Sequence, residues 1–464
     1  MKMQKEDWIQ PVLRIKGPKN WDAAFNNAVK YIFHLLGYKL EINVTVFQDD
    51  GTITDRIYKI GVPWTVDHPE SPDKVIDTIP GLNEYVTYKA SLVTRGGKYI
   101  PKGFYLPQDM KSFLKYTAKP ENKDKIWIQK DPRFRGNYVR KLRELNLFNV
   151  SLVQEFISNP LLVTGRKFSI GVFVAFSSAR PLRAYVLDKY MIFRYCGKLY
   201  DPADLSDPET YVTDGMERGG GVDIIDSPDD EAELLIRRLF LRKGYHSRRC
   251  LEEVVVKKGK DPSSILPQIF DSIRDVLNTS LVHMLKHNVS TDAKYYQYTR
   301  WDYVMDENAN LHLIEANINP HLNAKKDNPS YVNIFAYIIL SRMLRVMRMD
   351  TLHEFQDKKP SYLVRDSDVY TYDHICYTSS CSSCQKKICR LCSHCLSAEQ
   401  RTILKEVLWE HLRRSSMRLV YPVVKEETGE PGSTYYEHQT DDNKLTTDWM
   451  RRKCNRDDCW CSVY

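Results

Sequence analysis

Residues 311–322, "LHLIEANINPHL", carry the reading of the fold. Leu311, Leu313 and Ile314 are strand formers that follow a turn-forming run, Asp306-Glu307-Asn308-Ala309-Asn310. Successive strand side chains alternate faces, so Glu315 and Asn317 point the same way before the chain breaks at Asn319-Pro320. Upstream, "RWDYVM" (300–305) reads as the partner strand of a hairpin, and a tight return at 306–310 brings Asp302 alongside the other two. A solvated face of an edge hairpin gives the same pattern. Three converging oxygen donors are also what Mg²⁺ takes, a hard cation whose octahedral shell is completed by water and phosphates.

Working outward, the chain alternates short strands and helices. "IWIQK", "NVSLVQEFI" and "KFSIGVFVAF" read as strands, and "PLRAYVLDKYMIFRYC" as a hairpin. Residues 21–39, with Ala24, Phe25, Val29, Ile32, Phe33 and Leu36 at helical spacing, read as a helix stopped by Gly37, and "LEINVTVF" after it as a strand. Helices are also predicted after the Pro80-Gly81 turn, from Pro107 through 119, over 265–288, and in "YVNIFAYIILSRML" (331–344), a buried helix too short for a bilayer. Residues 227–250 are charged and amphipathic at best. The fold class is α+β, mixed α/β, with many antiparallel hairpins.

The chain has 464 residues, a formal net charge of +8 and 11 cysteines. The basic balance suits an acidic partner without choosing among nucleic acid, lipid and protein. "MKMQKEDWIQ" lacks the apolar core of a signal peptide, which predicts a soluble chain. P-loop, GxGxxG, HExxH and kinase-type motifs are all missing from the sequence, so any nucleotide is bound without them.

Phosphates on a metal need cations. Lys130 closes "IWIQK", Lys167 opens "KFSIG" and Arg194 lies in "IFRYC". Each alone also reads as a solvated strand-end charge.

"IWIQK", "LVQEFISNPLLVTGRKF", "PLRAYV", "IFRYC" and "WDYVMDENANLHLIEANINPHL" occur in that order, and together they resemble the tubulin tyrosine ligase-like family, ATP-grasp enzymes that join amino acids to tubulin tails. The resemblance covers residues 78–345 and is strongest where Asp302 is followed by Glu315 and Asn317. It implies an ATP-grasp core over 121–350, an N-terminal part over 1–120 that begins the ligase, and an unrelated Cys-rich extension over 351–464.

Carried onto this sequence, the family pattern implies that Lys130 and Lys167 contact ATP, that Gln154, Glu155, Phe156 and Ile157 form the hinge whose backbone reads adenine, and that Thr213 and Asp214 bind the cofactor too, Thr213 within its Leu-Thr-Asn stretch and Asp214 where the family has Asn. It also implies that Arg194 holds the incoming amino acid or the acyl phosphate, and that Asp302, Glu315 and Asn317 bind Mg²⁺, with Arg194 and Glu315 catalytic. The implied reaction is polyglutamylation: ATP activates a glutamate side chain of an acidic tubulin tail as an acyl phosphate, which free glutamate attacks.

The implied partners are tubulin, microtubules and free glutamate, without nucleic acid or membrane span. The implied state is a monomer on cytoplasmic microtubules, cilia included. Two departures open an alternative, a weak or inactive ATP-grasp module that binds microtubules or another acidic partner. The family's "KFDLR" is "KFSIG" here, so Ser169, counted among the cofactor-binding residues, replaces an Asp and Gly171 replaces an Arg.

The tail stands apart. Cys376, Cys381, Cys384, Cys389, Cys392 and Cys395 include CxxC pairs, with His374 and His394 beside them, which suits one or two structural Zn²⁺ sites. The competing reading is a disulfide-knotted tail, which would make the protein lumenal or secreted. The helix predicted over 397–416 follows, its basic end able to touch an acidic surface.

Overall fold

The computed structural model describes residues 12–17, 39–44, 64–68, 71–76, 79–130, 137–213, 221–223, 246–284, 286, 294–318, 320, 331–347, 364–424 and 439–457. The helix predicted over 21–39, Asp214 and most of 227–250 lie outside them.

Four early strands, β1 (Val12–Gly17), β2 (Lys39–Val44), β3 (Trp64–His68) and β4 (Ser71–Ile76), form one end of a large sheet. Helix α1 (Lys89–Arg95) follows the Pro80-Gly81 turn as predicted, after one π-helical turn over Asn83–Thr87. A strand, β5 (Gly103–Leu106), precedes Pro107, and the helix expected from Pro107 through 119 is observed as α2, starting at Met110 (Met110–Thr117). That strand completes a four-stranded sheet with β6 (Ile126–Lys130), β7 (Asn137–Lys141) and β8 (Ser151–Glu155), in the order β5-β8-β6-β7. Its core is aromatic: Phe104, Phe113 and Trp127 pack edge to face.

The large sheet takes β9 (Leu162–Val163), β10 (Arg166–Ala179), β11 (Leu182–Cys196), β12 (Gly221–Asp223), β13 (Lys294–Met305) and β14 (Leu311–Ile318). Residues 182–196 are not a hairpin in themselves. They form one 15-residue strand that folds back on β10, with the tight return at Arg180-Pro181. Burial on both faces explains the misreading, because a strand covered on each side loses the alternation that marks its direction. The helices of this region are α3 (Ser247–Lys257), α4 (Ile265–Met284) and α5 (Tyr331–Val346).

The main core lies between the central strands and α4. Ile170, Val172 and Val174 of β10 and Trp301 and Tyr303 of β13 meet Ile269, Ile273 and Leu277 of α4. The Tyr303 hydroxyl bonds Ser272 Oγ at 2.8 Å, so the helix is pinned by a polar contact as well as by apolar area. Alternation then commits the intervening residues Ser169, Gly171, Arg300 and Asp302 to the other face. That face holds the site.

The C-terminal region packs onto the same sheet. α6 (Ala398–Arg413) begins at Ser397 with a capping box to Gln400, and Ile403, Val407 and Leu408 face its core. β15 (Met417–Tyr421) pairs antiparallel with β11, and α7 (Asp441–Arg456) packs against α6 through Leu445, Trp449 and Met450. A buried charge cluster clamps the junction: Glu410 accepts hydrogen bonds from Arg183 Nε at 3.0 Å, from the Tyr185 hydroxyl at 2.9 Å and from Ser177 Oγ at 3.0 Å.

The six cysteines expected to hold zinc are paired instead as disulfides: Cys376–Cys392, Cys381–Cys389 and Cys384–Cys395. Zinc needs thiolates, and none of these six sulfurs remains one. Cys384 and Cys395 do lie with His394 in a metal-like cluster, but they are bonded to each other. Among the described residues, no helix is long and apolar enough to cross a membrane.

Candidate active site

The strands bring the expected metal trio together. Asp302 of β13 stands opposite Glu315 of β14 in register, and Arg300 opposite Asn317. A register shift between Asp302 and Tyr303 lets the Asp302–Glu315 pair form while Tyr303 pairs with Leu313. The Asn317 amide donates to Asp302 Oδ2 at 2.8 Å and to Glu315 Oε1 at 3.0 Å. Two carboxylates and an amide on one face are a donor set that fits a hard cation, once the amide turns its oxygen inward.

Cations surround the trio. Lys89, on α1, lies 3.5 Å from Glu315 Oε2, and Arg194 lies 3.9 Å from Asp302 Oδ2. Arg300 grips both oxygens of Asp302, with Nε at 2.6 Å from Oδ1 and its other arm at 2.8 Å from Oδ2. Neither Lys89 nor Arg300 was among the sequence-predicted residues.

These charges tune the acids differently. Burial pushes the Asp302 carboxyl up, against the pull of Arg300 and Arg194. Burial works the same way on Glu315, but Lys89, the Asn317 amide, Lys130 and Arg300 overcome it and hold Glu315 well below the usual carboxylate range. The two lysines expected at the phosphates are buried, and that burial lowers both to about 8. Lys130 Nζ donates to Gln154 Oε1 at 3.0 Å, while Lys167 sits 4.2 Å above the Phe156 ring. Buried cations with lowered pKa are what an incoming phosphate would recharge.

Other expectations fare unevenly. Ser169 is buried and opposite Arg194 in register, within the site face. The hinge differs in part: the N–H groups of Glu155 and Phe156 donate to the carbonyls of Lys102 and Ile126, so those two donors are committed within the fold. An adenine edge would have to use hinge carbonyls or Ile157. The Glu155 side chain turns away from the trio, to Lys125 and, at 2.7 Å, to the Tyr116 hydroxyl. Thr213 is half-buried just beyond the short helical turn Pro208–Thr210.

Gly171 stands opposite Asp302. A Cβ there would lie 2.9 Å from Arg300 Cδ, 3.1 Å from Ile192 Cγ1 and 3.2 Å from Asp302 Oδ1. The glycine is therefore required by a close approach: it leaves the space that Arg300 occupies.

Comparison with known proteins matches the tubulin-tyrosine ligase family over residues 83–216 and 240–352, which include the hinge, both buried lysines, Arg194 and the trio. A probable tubulin polyglutamylase of Caenorhabditis elegans is 29% identical over 405 residues, 84% of this chain and 74% of its own. A tubulin monoglutamylase of Mus musculus is 25% identical, covering 49% of this chain and 19% of its own. A second probable tubulin polyglutamylase of C. elegans is 24% identical, covering 54% and 58%. The chain thus spans less than two thirds of the length of the latter two relatives.

Proposed function

The chain belongs to the tubulin-tyrosine ligase family, and on that premise we propose that it is an ATP- and Mg²⁺-dependent ligase that adds glutamate to side-chain carboxylates of acidic tubulin tails. The observation behind this reading is the single sheet face on which Asp302, Glu315 and Asn317 meet beside Arg194, Arg300, Lys89 and Lys130. The names of the relatives, poly- and monoglutamylases, favour glutamate over glycine or tyrosine.

Mg²⁺, when bound, would supply positive charge that neutralises the phosphates of ATP. Asp302, Glu315 and Asn317 would hold it. Lys130 and Lys167 would take phosphate charge, and their lowered pKa means that binding fixes the proton each then carries. Gln154, holding Lys130, sets where that charge sits. In the reaction, the acceptor carboxylate attacks the terminal phosphorus and ADP leaves. The glutamate amine then attacks the resulting acyl phosphate, phosphate departs and the amine loses a proton. Arg194 lies at the edge of the trio, where it could hold a carboxylate or the acyl phosphate by a planar fork. Positioning and charge neutralisation do most of the work in such transfers.

The direct test is incorporation of labelled glutamate into microtubules with ATP and Mg²⁺. Incorporation of no amino acid, with glycine and tyrosine also tried, overturns the proposal.

A second reading rests on the three disulfides, which persist in oxidising compartments. It keeps the chemistry and replaces tubulin by an acidic protein of such a compartment. Thiol alkylation of the protein taken directly from cells separates the two: six protected cysteines favour the second reading, six alkylated ones the first.

A further inference from the structure

We infer that Arg300 supplies, from the neighbouring strand, the phosphate-binding cation that the family pattern places at position 171, and that Gly171 and Arg300 form a matched pair. The inference rests on the ligase reading and deepens it. Glycine at 171 alone would suggest a site short of one positive charge. In the fold, however, residues 171 and 300 flank Asp302 from two adjacent strands: Gly171 is its register partner on β10, and Arg300 precedes it by two on β13, on the same face. The missing side chain and the extra one share one volume, since a Cβ at 171 would meet Arg300 Cδ at 2.9 Å. With Arg300 in place, a side chain at 171 must displace it; without Arg300, the remaining close contacts are Ile192 Cγ1 at 3.1 Å and Asp302 Oδ1 at 3.2 Å, which need to give by only a few tenths of an ångström.

Arg300 is 5% exposed and closes both oxygens of Asp302. A cation held by Asp302, Glu315 and Asn317 needs at least one of those oxygens, and its double charge repels the guanidinium. Metal binding therefore weakens the Arg300–Asp302 fork by competing for the same carboxylate charge. The anion that arrives with the metal, a nucleotide phosphate, is then the nearest replacement partner, and a planar guanidinium suits it. In the ligand-free protein the pair is a parking arrangement: Arg300 neutralises Asp302, and Asp302 holds Arg300 in place.

The test is Mg²⁺ with a non-hydrolysable ATP analogue, read as the increment in melting temperature and as Kd by calorimetry. Arg300→Gln keeps most of the volume and removes the charge; at least a tenfold weaker Kd is expected. Gly171→Arg alone should bind as weakly, through crowding against Arg300. The exchange G171R/R300G should recover Kd to within about threefold, because the charge returns to the same place. Melting without nucleotide is measured for each variant, since a purely structural role for Arg300 would lower that baseline and leave the nucleotide increment unchanged. Wild-type affinity in Arg300→Gln, or an exchange variant that melts normally yet binds no better than Arg300→Gln, overturns the inference alone. A wild-type protein that binds no nucleotide overturns the ligase reading as well.

Discussion

Glu315→Gln separates the metal reading from that of a solvated hairpin, and the structure sets both its sign and its size. The substitution keeps shape and hydrogen bonding but removes one charge. Relief of repulsion between Asp302 and Glu315, taken by itself, would leave stability unchanged or raise it. The structure reverses that sign. Asp302 is already neutralised by the Arg300 fork, while Glu315 answers Lys89 at 3.5 Å, the Asn317 amide at 3.0 Å and the field of buried Lys130.

Removing a partner from a charged, buried group costs about 1.5–3 kcal/mol, but Lys89 is 48% exposed and its share is screened. The expected loss is about 1–2 kcal/mol, a fall of several degrees in melting temperature. The Glu315 carboxyl is depressed in the fold, so its stabilisation is present above the unfolded carboxylate value and disappears as pH falls through the folded one. The difference between variant and wild type should accordingly shrink in acid. Activity should fall by about 10²–10³, the cost of losing one preorganised electrostatic contact to a transferring group. Glutamate incorporation and thermal melting with and without Mg²⁺-ATP measure the two effects. Turnover within twofold of wild type, together with an unchanged nucleotide increment, would refute the metal assignment.

Nucleotide affinity should weaken as pH rises past about 8, roughly tenfold per unit for each of Lys130 and Lys167 that must be recharged, and calorimetry in buffers of different ionisation heat reads the proton uptake. The ligand-free protein should do the opposite between about 8 and the ordinary lysine value of 10.5, gaining stability because the unfolded chain then binds more protons; a flat profile in both would disprove the buried lysines' role. Glu410→Ala leaves Arg183, 1% exposed, without its main carboxylate and should cost about 3–5 kcal/mol by chemical denaturation. A strong reductant should lower the melting of the C-terminal region, each disulfide closing a short loop worth about 2–3 kcal/mol, whereas a zinc chelator should change nothing; the reverse pattern would restore the zinc reading.

The hairpin of the acidic trio was legible because its alternation is incomplete in an informative way. On β13 Asp302 stands between Trp301 and Tyr303, so its face had to be used; on β14 Leu311, Leu313, Glu315 and Asn317 share one parity, and only the register shift at Ile314 turns the last two from the core to the site. Arg300 was available by the same rule, being two residues before Asp302, but a lone arginine at a strand start reads as solvent-facing until the opposite glycine is seen. Lys89 had no local signal, since it reaches the site from a helix more than two hundred residues away in sequence. In the tail, the CxxC spacing pointed to zinc, yet the bonds cross between pairs: Cys381 joins Cys389, and Cys384 joins Cys395. Spacing brings two sulfurs within reach of a metal or of other sulfurs alike, so it could not choose.

β11 ties the C-terminal region to the candidate site, although the family match ends at residue 352. Its first residues pair with β15, and its Arg183 and Tyr185 are held by Glu410 of α6. Its last turn of residues carries Arg194 beside Asp302. Their partners on β10, Ser178 and Ser169, stand nine residues apart, roughly 30 Å, so the Glu410 anchor lies well away from Arg194. It can set the strand on which Arg194 is held. A strand anchored at one end by a buried ion cluster and paired with β10 on both sides of the break at 187–190 has little freedom to slide, because a slip by one residue would turn Arg194 to the opposite face. The disulfide-bonded turns pack behind α6 through Leu391 and Leu396, tying that anchor to a covalent knot. The extension thus holds in register the strand that carries Arg194.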